Sequence, residues 1–463
     1  RTGVPHVVLP GWQDCYENAV RTEWLNIGVY ANKTSAPGVG AIELSNALQK
    51  VVGNPTYQAK AFELSTLCRQ KEGRVVGADK IAELARNPER AALPIPGVDD
   101  INHIPKGKLR TIKNASGDIL ETVDPDPIKF PLPPILKNLL ELLVVTISTN
   151  TSLLLPLLGY ALLFLFPRIR LLTILYLIYI KYLSTSHQSG PSWLRNDPFR
   201  NSPLWTLYSS YFPLRLYRSG PLSPRRKYIF GYHPHGISIR GAIGTFAANG
   251  ANFTHLFPGI STTLLVADKI LFAPLLREYA LSLGISGVSR ASCINHLTKA
   301  GHDGQGMGNS ITICVGGNRE ALIAKPHTMD LVLNIRRGFI RVAVQTGADL
   351  VPVLAFGENE LFDIVDKDNA AESAVGWFPR RWKRVFGKDV RVIVGRFGVT
   401  VPFRKPVDVV MGRPIRVRES RWAQDEEYVA RVHEEYVAEL RRLWGAWRGT
   451  FGAAREVEFR VVE

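Results

Sequence analysis

A long apolar stretch in the first half of the chain limits what it can fold into. Residues 153–166 are apolar apart from Pro156, Gly159 and Tyr160, and a softer apolar run over residues 142–152 precedes them. A membrane-spanning helix needs about 20 mostly apolar residues, and the two runs together reach that length. The stretch therefore predicts a segment that enters a membrane.

A second apolar run follows a short interruption. Residues 167–170 carry two arginines, and residues 171–183 are then apolar except for Thr173 and Lys181. Because this second run falls short of a full span, residues 135–185 predict either a re-entrant hairpin or two transmembrane crossings. The alternative is a buried helical hairpin of a soluble core, although so much Leu, Ile and Tyr exceeds what one buried helix face needs.

Cationic and aromatic side chains flank this hairpin. Arg168 and Arg170 can snorkel to a membrane interface, and Tyr176, Tyr179 and Tyr182 can form an aromatic belt there. These residue types at these positions favour the membrane interpretation.

The charge of the chain is strongly positive and unevenly spread. The net charge is +16 over 463 residues, and 46% of the residues are hydrophobic, which suffices for a packed core and for more than one domain. Residues 376–424 hold thirteen basic side chains against three acidic ones. Such a surface favours anionic lipid headgroups or a phosphate-bearing ligand, or it is a solvated basic face. We expect no nucleic acid partner, because no helix-turn-helix, zinc-finger or RNA-binding signature accompanies the charge.

The cysteines are few and widely separated. Cys15, Cys68, Cys293 and Cys314 form no CxxC pair, which argues against a disulfide scaffold or a zinc site and suits a reducing, cytosol-facing compartment. The chain begins with Arg1 rather than Met, so we expect that this is not the natural start or that the chain is a fragment.

Composition divides the chain into four parts. Residues 1–90 predict half of an α/β domain, residues 91–134 a proline-rich linker without regular structure, residues 135–185 the membrane hairpin, and residues 186–463 a second α/β unit. In the first part we predict a buried strand over residues 4–10 and helices over residues 17–27, 41–52, 55–69 and 78–86.

Strands and helices alternate after residue 226. This alternation predicts an α/β fold with a mostly parallel sheet that helices cover on both faces. The predicted strands are residues 227–232, 310–315, 350–356 and 390–394. The predicted helices are residues 241–249, 273–283, 338–346 and 425–444, and the last of these has one apolar face.

Two histidines follow the first of these strands. His233 and His235 flank Pro234, and residues i and i+2 of an extended segment point to the same side. A neutral imidazole at the carboxyl end of a strand can remove a proton from an alcohol near neutral pH, while Gly236 lets the backbone approach a ligand closely. A metal site or a structural histidine pair in a turn are the alternatives. No Cys, Asp or Glu pair lies at ligand spacing, so we expect no metal.

Two further clusters follow predicted strands. Gly316 and Gly317 precede a helix, so their N–H groups can bind an oxyanion or a phosphate. Glu358 comes just after an apolar strand, where it can tune a histidine, bind a hydroxyl or cap the next helix.

Taken in this order, the clusters resemble the type-2 diacylglycerol acyltransferase family, which includes monoacylglycerol and wax-ester relatives. The resemblance covers about residues 140–450, the hydrophobic hairpin included. The matching blocks are WLRN at residues 193–196, YFP at 211–213, HPHG at 233–236, GGNRE at 316–320, RRGF at 336–339, VPV at 351–353 and FGEN at 356–359.

The resemblance implies that His233 and His235 are the catalytic histidines. Glycerol-phosphate acyltransferases are similar to H-x4-D at this point, but Ser238 and Arg240 stand where that aspartate would fall. A carboxylate partner must therefore come from elsewhere, and Glu358 and Glu320 are the candidates. We expect substrate contacts from Tyr211, Phe212, Pro213, Gly236, Gly316, Gly317, Glu320, Arg337, Gly338, Phe339, Gly357 and Asn359.

Residues 1–90 resemble a different family. Residues 3–5 with Pro10, Asp14 and residues 18–19 look like the end of the sugar-nucleotide-binding box of family-1 glycosyltransferases, that is, a remnant of a GT-B carboxyl-terminal domain. Cys15 stands where that family has a Gln that contacts sugar hydroxyls, and the acceptor domain is absent. We therefore expect a tail of a fused or truncated glycosyltransferase, or of a merged gene, that does not transfer sugar alone.

The resemblance implies an acyltransferase that moves a fatty acyl group from acyl-CoA to diacylglycerol. We expect no metal or redox cofactor, a membrane lipid environment, and a cytosol-facing active site at the endoplasmic reticulum or a lipid droplet. The oligomeric state stays open, a homo-oligomer included. A monoacylglycerol or wax-alcohol acceptor, a UDP-sugar transferase and a non-catalytic membrane or lipid-droplet tether are the alternatives.

Overall fold

The chain forms two compact units, Arg1–Leu93 and Pro94–Glu463. The computed structural model describes residues 3–10, 13–70, 109–124, 133–299, 301–365, 381, 392–398, 400–417, 425–451 and 457–462. The helix predicted over residues 78–86 lies outside the described residues.

The first unit is a small α/β structure. Two parallel strands, β1 (His6–Val8) and β2 (Gly28–Tyr30), pair with each other. Three helices accompany them: α1 (Gln13–Trp24), α2 (Ala41–Gly53) and α3 (Pro55–Gln70). The predicted helices are present within a few residues, but the strand predicted over residues 4–10 is shorter and only half buried, because Val4 and Leu9 are exposed.

The second unit is built on a nine-stranded sheet in the order β3-β4-β5-β14-β11-β6-β9-β7-β8. Its strands are β3 (Leu109–Lys113), β4 (Ile119–Val123), β5 (Arg215–Arg218), β6 (Tyr228–His233), β7 (Ser261–Val266), β8 (Ser286–Gly287), β9 (Asn309–Cys314), β11 (Asp349–Phe356) and β14 (Asp408–Met411). Five of the eight pairings are parallel, and three, β3 with β4, β4 with β5 and β11 with β14, are antiparallel. The sheet is therefore mostly parallel, as predicted, with antiparallel pairs on one side.

Four strands lie in two smaller sheets. Strand β10 (Met329–Val332) pairs in parallel with β15 (Phe459–Val462), and β12 (Asp363–Val365) pairs antiparallel with β13 (Val392–Val394).

The linker prediction is wrong for part of residues 91–134. Strands β3 and β4 form a hairpin there, and β4 pairs with β5 at the side of the large sheet. The prolines that suggested extended chain lie outside this hairpin, while its β-branched and apolar residues suit a sheet.

Helices of the second unit vary greatly in length. The long ones are α4 (Pro134–Leu165) and the terminal α14 (Glu426–Trp447). The shorter ones are α5 (Arg170–Ile178), α6 (Asp197–Arg200), α7 (Pro203–Tyr211), α8 (Arg240–Ala242), α9 (Phe253–Leu256), α10 (Leu276–Ser282), α11 (Arg290–Thr298), α12 (Gly317–Ile323) and α13 (Gly338–Thr346). Among the described residues only α4 is long and apolar enough to cross a membrane, and these are criteria of length and composition alone.

Buried side chains cover both faces of the large sheet. All six residues of β6 are buried, and successive side chains point to opposite faces, so Ile229 belongs to one core cluster and Phe230 to the other. A strand buried on both faces reads as a continuous apolar run, which is why residues 227–232 were recognisable in the sequence.

Candidate active site

Three neighbouring parallel strands end beside one another. Strand β6 lies between β11 and β9, with Tyr232 opposite both Val353 and Cys314. The carboxyl ends of β6, β9 and β11 therefore meet at one edge of the sheet, where open α/β sheets bind ligands. The blocks at residues 233–236, 316–320 and 356–359 follow these three ends, so the topology brings them together.

The ring of His235 hydrogen-bonds through one of its two nitrogens among the described residues. Its Nδ1 lies 2.8 Å from the carbonyl oxygen of Gly236. Because a carbonyl only accepts hydrogen bonds, Nδ1 carries the proton and Nε2 is left with a lone pair. No residue in the described part of the chain hydrogen-bonds to Nε2. Burial lowers the pKa of this imidazole from its usual value, so the neutral form that can accept a proton prevails at pH 7.

His233 is fully buried, and one of its ring nitrogens is hydrogen-bonded. Its Nε2 lies 3.1 Å from the hydroxyl oxygen of Tyr436, and that hydroxyl donates to the carbonyl oxygen of Gly231 at 3.1 Å. The tyrosine hydroxyl has one hydrogen, so it accepts from Nε2–H of His233. Burial lowers the pKa of His233 to about 3, and the ring is therefore neutral.

The two imidazoles have different partners, although residues i and i+2 of an extended segment share one side. The strand ends at His233, and a turn begins at Gly236. As a result His233 packs against Tyr436, whereas His235 bonds to its own turn. The residues at positions i and i+2 therefore differ in environment, and His235 is the better placed base.

Glu320 holds the backbone of residues 233–238, which carry both histidines and are called the histidine turn below. One carboxylate oxygen accepts from the N–H of His235 at 2.5 Å, and the other accepts from the N–H of Val332 at 2.9 Å. Burial raises the pKa of Glu320 to about 7. A Cβ at Gly316 would lie 2.1 Å from this carboxylate, so a glycine is needed there to admit it. Glu320 thus contacts His235 through the backbone and not through the imidazole.

Glu358 fixes the segment after the histidines. Its carboxylate accepts from the hydroxyl of Tyr232 at 2.7 Å and from the N–H groups of Arg240 and Gly241 at 2.6 and 2.9 Å. Burial raises its pKa to about 7. Gly236 has a φ of +60°, and a Cβ there would lie 2.7 Å from the side chain of Glu358. The carboxylate caps α8 and makes no hydrogen bond to either imidazole among the described residues, so it is not the imidazole partner that the sequence suggested.

The block at residues 211–213 lies in the core and not at the histidine turn. The hydroxyl of Tyr211 donates to the carbonyl oxygen of Pro402 at 2.8 Å, and the rings of Tyr211 and Phe212 stack edge to face. Both rings are buried, and Pro213 follows at the end of α7. These contacts favour a packing role over the predicted substrate contact.

The block at residues 336–339 reaches the site through Tyr436. Phe339 packs edge to face on the Tyr436 ring with centroids 5.1 Å apart. Arg337 is exposed and precedes α13, whose first residue is Gly338, whereas Arg336 donates to the carbonyl oxygen of Gly316 at 3.2 Å. Tyr436 and Arg336 were not among the predicted site residues. The only signal for Tyr436 was a hydroxyl within the apolar face of the terminal helix.

A small cavity of about 20 Å³ includes Pro234, between the two histidines, in its lining. Pro234, Gly357, Asn359 and Trp444 are among its lining residues. The side-chain N–H of Asn359 donates to the carbonyl oxygen of Thr328 at 2.9 Å, while its Oδ1 is buried without a partner in the described part of the chain. Gly357 has a φ of +92°, and a Cβ would lie 2.1 Å from the carbonyl oxygen of Pro406.

The basic segment is only partly described. Of its thirteen cations, the described ones are Arg381, Arg396, Arg404, Lys405, Arg413 and Arg416. Arg404 pairs with Glu141 at 2.7 Å, and Arg416 lies 3.8 Å from Asp349. At least two of these side chains therefore have acidic partners within the protein.

Comparison with known proteins gives the chain relatives. A family model described as diacylglycerol acyltransferase matches residues 162–461. Diacylglycerol O-acyltransferase 1 of Schizosaccharomyces pombe is 36% identical over 297 residues, which are 62% of this chain and 82% of the relative. Diacylglycerol O-acyltransferase 2A of Umbelopsis ramanniana is 37% identical over 300 residues, which are 63% of this chain and 81% of the relative. The human 2-acylglycerol O-acyltransferase 1 is 35% identical over 285 residues, which are 60% of this chain and 82% of the relative.

No solved structure matches the chain. The family match includes all three strand-end blocks and the terminal helix with Tyr436, and it leaves out the first unit. The chain belongs to the diacylglycerol acyltransferase family.

Proposed function

We propose that this chain transfers a fatty acyl group from acyl-CoA to the free hydroxyl of diacylglycerol and so makes triacylglycerol. The observation that supports it best is the unprotonated Nε2 of His235 at the ligand-binding edge of the sheet, in a chain of this family. The names of the relatives from S. pombe and U. ramanniana give the same acceptor.

The proposed reaction is a single acyl transfer. His235 Nε2 removes the proton of the acceptor hydroxyl while the hydroxyl oxygen attacks the thioester carbonyl. General-base catalysis of this kind contributes about 10²- to 10⁴-fold in rate. The tetrahedral oxyanion lies against the N–H groups of Gly316 and Gly317, which follow the neighbouring strand β9. The carbon–sulfur bond then breaks, and the CoA thiolate takes the proton from the imidazolium. This sequence needs no metal or redox cofactor.

The supporting residues hold that geometry. Glu320 and Glu358 anchor the turn on either side of His235 through backbone N–H groups. Asn359 has a buried acceptor beside this turn, and we assign it and Gly357 to the acceptor side of the site. The basic residues between Arg380 and Arg421 would attract the phosphates of acyl-CoA.

The decisive experiment is an acyl-transfer assay on microsomes. Labelled acyl-CoA is supplied with diacylglycerol, and the His235→Ala variant is compared with the unchanged chain at equal protein level. We expect a loss of about 10²-fold or more. His255→Ala removes an exposed histidine of α9 and is the matched control. Full activity of His235→Ala would remove this residue as the base.

The acceptor is tested in the same assay. The human relative is named for a 2-acylglycerol acceptor, so monoacylglycerol is the second candidate for the acyl acceptor. A fatty alcohol is the third candidate. Parallel reactions with the three acceptors separate them by product. Sugar transfer from a UDP-sugar, or membrane binding without any acyl transfer, would instead favour a glycosyltransferase or a tether.

We further propose that the protein is membrane-bound at the endoplasmic reticulum with its active site facing the cytosol, and that it also reaches lipid droplets. The apolar helix α4 and the lipid nature of the acceptor support this placement.

A further inference from the structure

Helix α4 is held along much of its length against the acyltransferase unit. With 32 residues it is about 48 Å long at 1.5 Å per residue. It packs along α7 and also contacts α5 and α10. Helix α4 therefore packs against helices of the folded acyltransferase unit as well as against the apolar helix α5.

Polar bonds fix the inner face of α4. Glu141 is 1% exposed and pairs with Arg404 at 2.7 Å. Further along, the carbonyl oxygen of Ser148 accepts from Arg240 at 3.4 Å.

The same face continues past these bonds to Gly159. A Cβ at Gly159 would lie 2.8 Å from Pro274, so the helix and the unit are in close contact there. The contacts from Glu141 to Gly159 extend over about 27 Å of helix, close to the roughly 30 Å of a bilayer's hydrocarbon core.

The outer face of α4 is an exposed aliphatic stripe. Six residues spaced three, four or seven apart have between 43% and 58% of their surface exposed: Leu136, Leu139, Leu143, Ile147, Leu154 and Leu158. Helix α5 adds Leu171, Leu172 and Leu175, which are also exposed. An apolar stripe opposite a polar, protein-bound face is typical of a helix that lies in a membrane interface.

The contacts of α4 with the folded unit argue against a path of this helix across the bilayer. A crossing would place the most apolar part of α4, from about residue 146 to Leu165, in the hydrocarbon core. The close contact of Gly159 with Pro274 would then carry the start of α10, with Arg277 and Glu278, to that depth. A charged residue there costs about 2.5–3.5 kcal/mol or more. Lying in the plane of the membrane, α4 buries its aliphatic stripe and leaves α10 on the aqueous side with the rest of the folded unit.

We propose that α4 and α5 lie in one leaflet of a phospholipid membrane and that the chain does not cross the bilayer at residues 134–183. Arg168 and Arg170, exposed at the junction of the two helices, then lie at headgroup level on the side of the active site. Arg240 bonds to α4 and begins the helix that Glu358 caps, so the histidine turn is linked directly to the leaflet-facing helix.

The test measures on which side of a sealed vesicle the α4–α5 junction lies, and it does not depend on the proposed function. Arg168→Cys is labelled with a membrane-impermeant maleimide in sealed microsomes, before and after detergent, and the modified peptide is quantified by mass spectrometry. Trp193→Cys, at an exposed position of the acyltransferase unit, is the matched control.

For both variants we expect labelling before detergent to equal labelling after it. A junction that is labelled only after detergent, while Trp193→Cys is labelled before, would place residue 168 in the lumen or inside the bilayer and overturn the proposal. An Asn-Gly-Thr acceptor in a polar loop inserted after Arg168 gives a second readout. It stays without glycan if α4 lies in the plane, and it gains one if α4 crosses.

Discussion

Tyr436 connects two parts of the site that lie far apart in the chain. Its hydroxyl contacts His233, 203 positions earlier, and its ring packs on Phe339 from the block at residues 336–339. The same hydroxyl would lie 1.9 Å from a Cβ at position 231, so β6 needs Gly231 for this approach. Tyr436 of α14 thus joins His233 of β6 to Phe339 of α13, and these contacts hold the start of the histidine turn.

Replacing Tyr436 with Phe should weaken catalysis. The buried Nε2–H of His233 loses its acceptor, which costs about 1–3 kcal/mol of unfolding free energy and loosens the turn that carries His235. We expect kcat to fall more than KM changes, as measured by acyl transfer in microsomes with thermal unfolding of the purified protein in parallel.

The control for this variant is Tyr228→Phe, which removes a buried tyrosine bond to the carbonyl oxygen of Ser223 at the other end of β6. It should lower stability without a matching loss of kcat. Equal effects of the two variants on kcat would contradict a positioning role for Tyr436.

The pH profile should report the imidazole of His235. Burial lowers its pKa below the usual 6.5, so the neutral base is present at pH 7 and is lost as pH falls through that lowered pKa. We expect kcat/KM to be level near pH 7 and to fall with a midpoint below about 6.5. A midpoint near 7 would instead point to Glu320 or Glu358, whose pKa values burial raises to about 7.

Among the elements, α4 combines a buried carboxylate with an apolar outer face. Glu141 lies 3.7 Å from Lys137 within the helix and 2.7 Å from Arg404 outside it. A buried carboxylate in a helix of this composition is costly unless it is paired. The pair therefore selects which face of an otherwise apolar helix turns toward the protein.

Removing one partner of this pair should destabilise the protein more than removing both. Arg404→Leu leaves Glu141 buried with only the more distant Lys137, at a cost of about 1–3 kcal/mol in unfolding free energy. Adding Glu141→Leu should recover most of that loss. Arg460→Leu breaks an exposed pair with Glu458 and should change stability by less than about 0.5 kcal/mol. Additive losses in the double variant would contradict a coupled pair.

At the scale of the whole molecule, the chain divides into two compact units, and the family match lies within the second. The first is a compact unit of its own, and the family match starts only at residue 162. Its resemblance to a glycosyltransferase remnant stays a prediction, because the described part holds two strands and three helices of a common α/β type.

Deleting Arg1–Leu93 should leave acyl transfer unchanged, because every residue of the proposed site lies in the second unit. Specific activity in microsomes is the measurement. The matched deletion of residues 425–463 removes Tyr436 with α14 and should abolish activity. Loss of activity in the first deletion, with normal protein level and membrane binding, would give the first unit a role in catalysis.

Local pattern was sufficient for some of the elements, whereas β5, β7 and β14 of the large sheet were not predicted. A strand buried on both faces, as β6 is, needs a continuous apolar run, and α13 and the apolar face of α14 follow helical spacing. The hairpin of β3 and β4 escaped prediction because a nearby excess of proline dominated the composition of residues 91–134, whereas its strands are stabilised by pairing with β5, more than ninety residues later.

The sequence by itself determined that two histidines stand at the carboxyl end of a buried strand, in an α/β unit that carries a long apolar segment. Only the tertiary structure decided what each histidine and carboxylate contacts. Glu320 bonds to the backbone of His235 across 85 positions, Glu358 to that of Arg240 across 118, and Tyr436 to His233 across 203. Strand order and register set these pairings, and no local pattern encodes them. The same holds for α4, whose apolar composition is visible in the sequence but whose polar contacts with the folded unit only the tertiary structure shows.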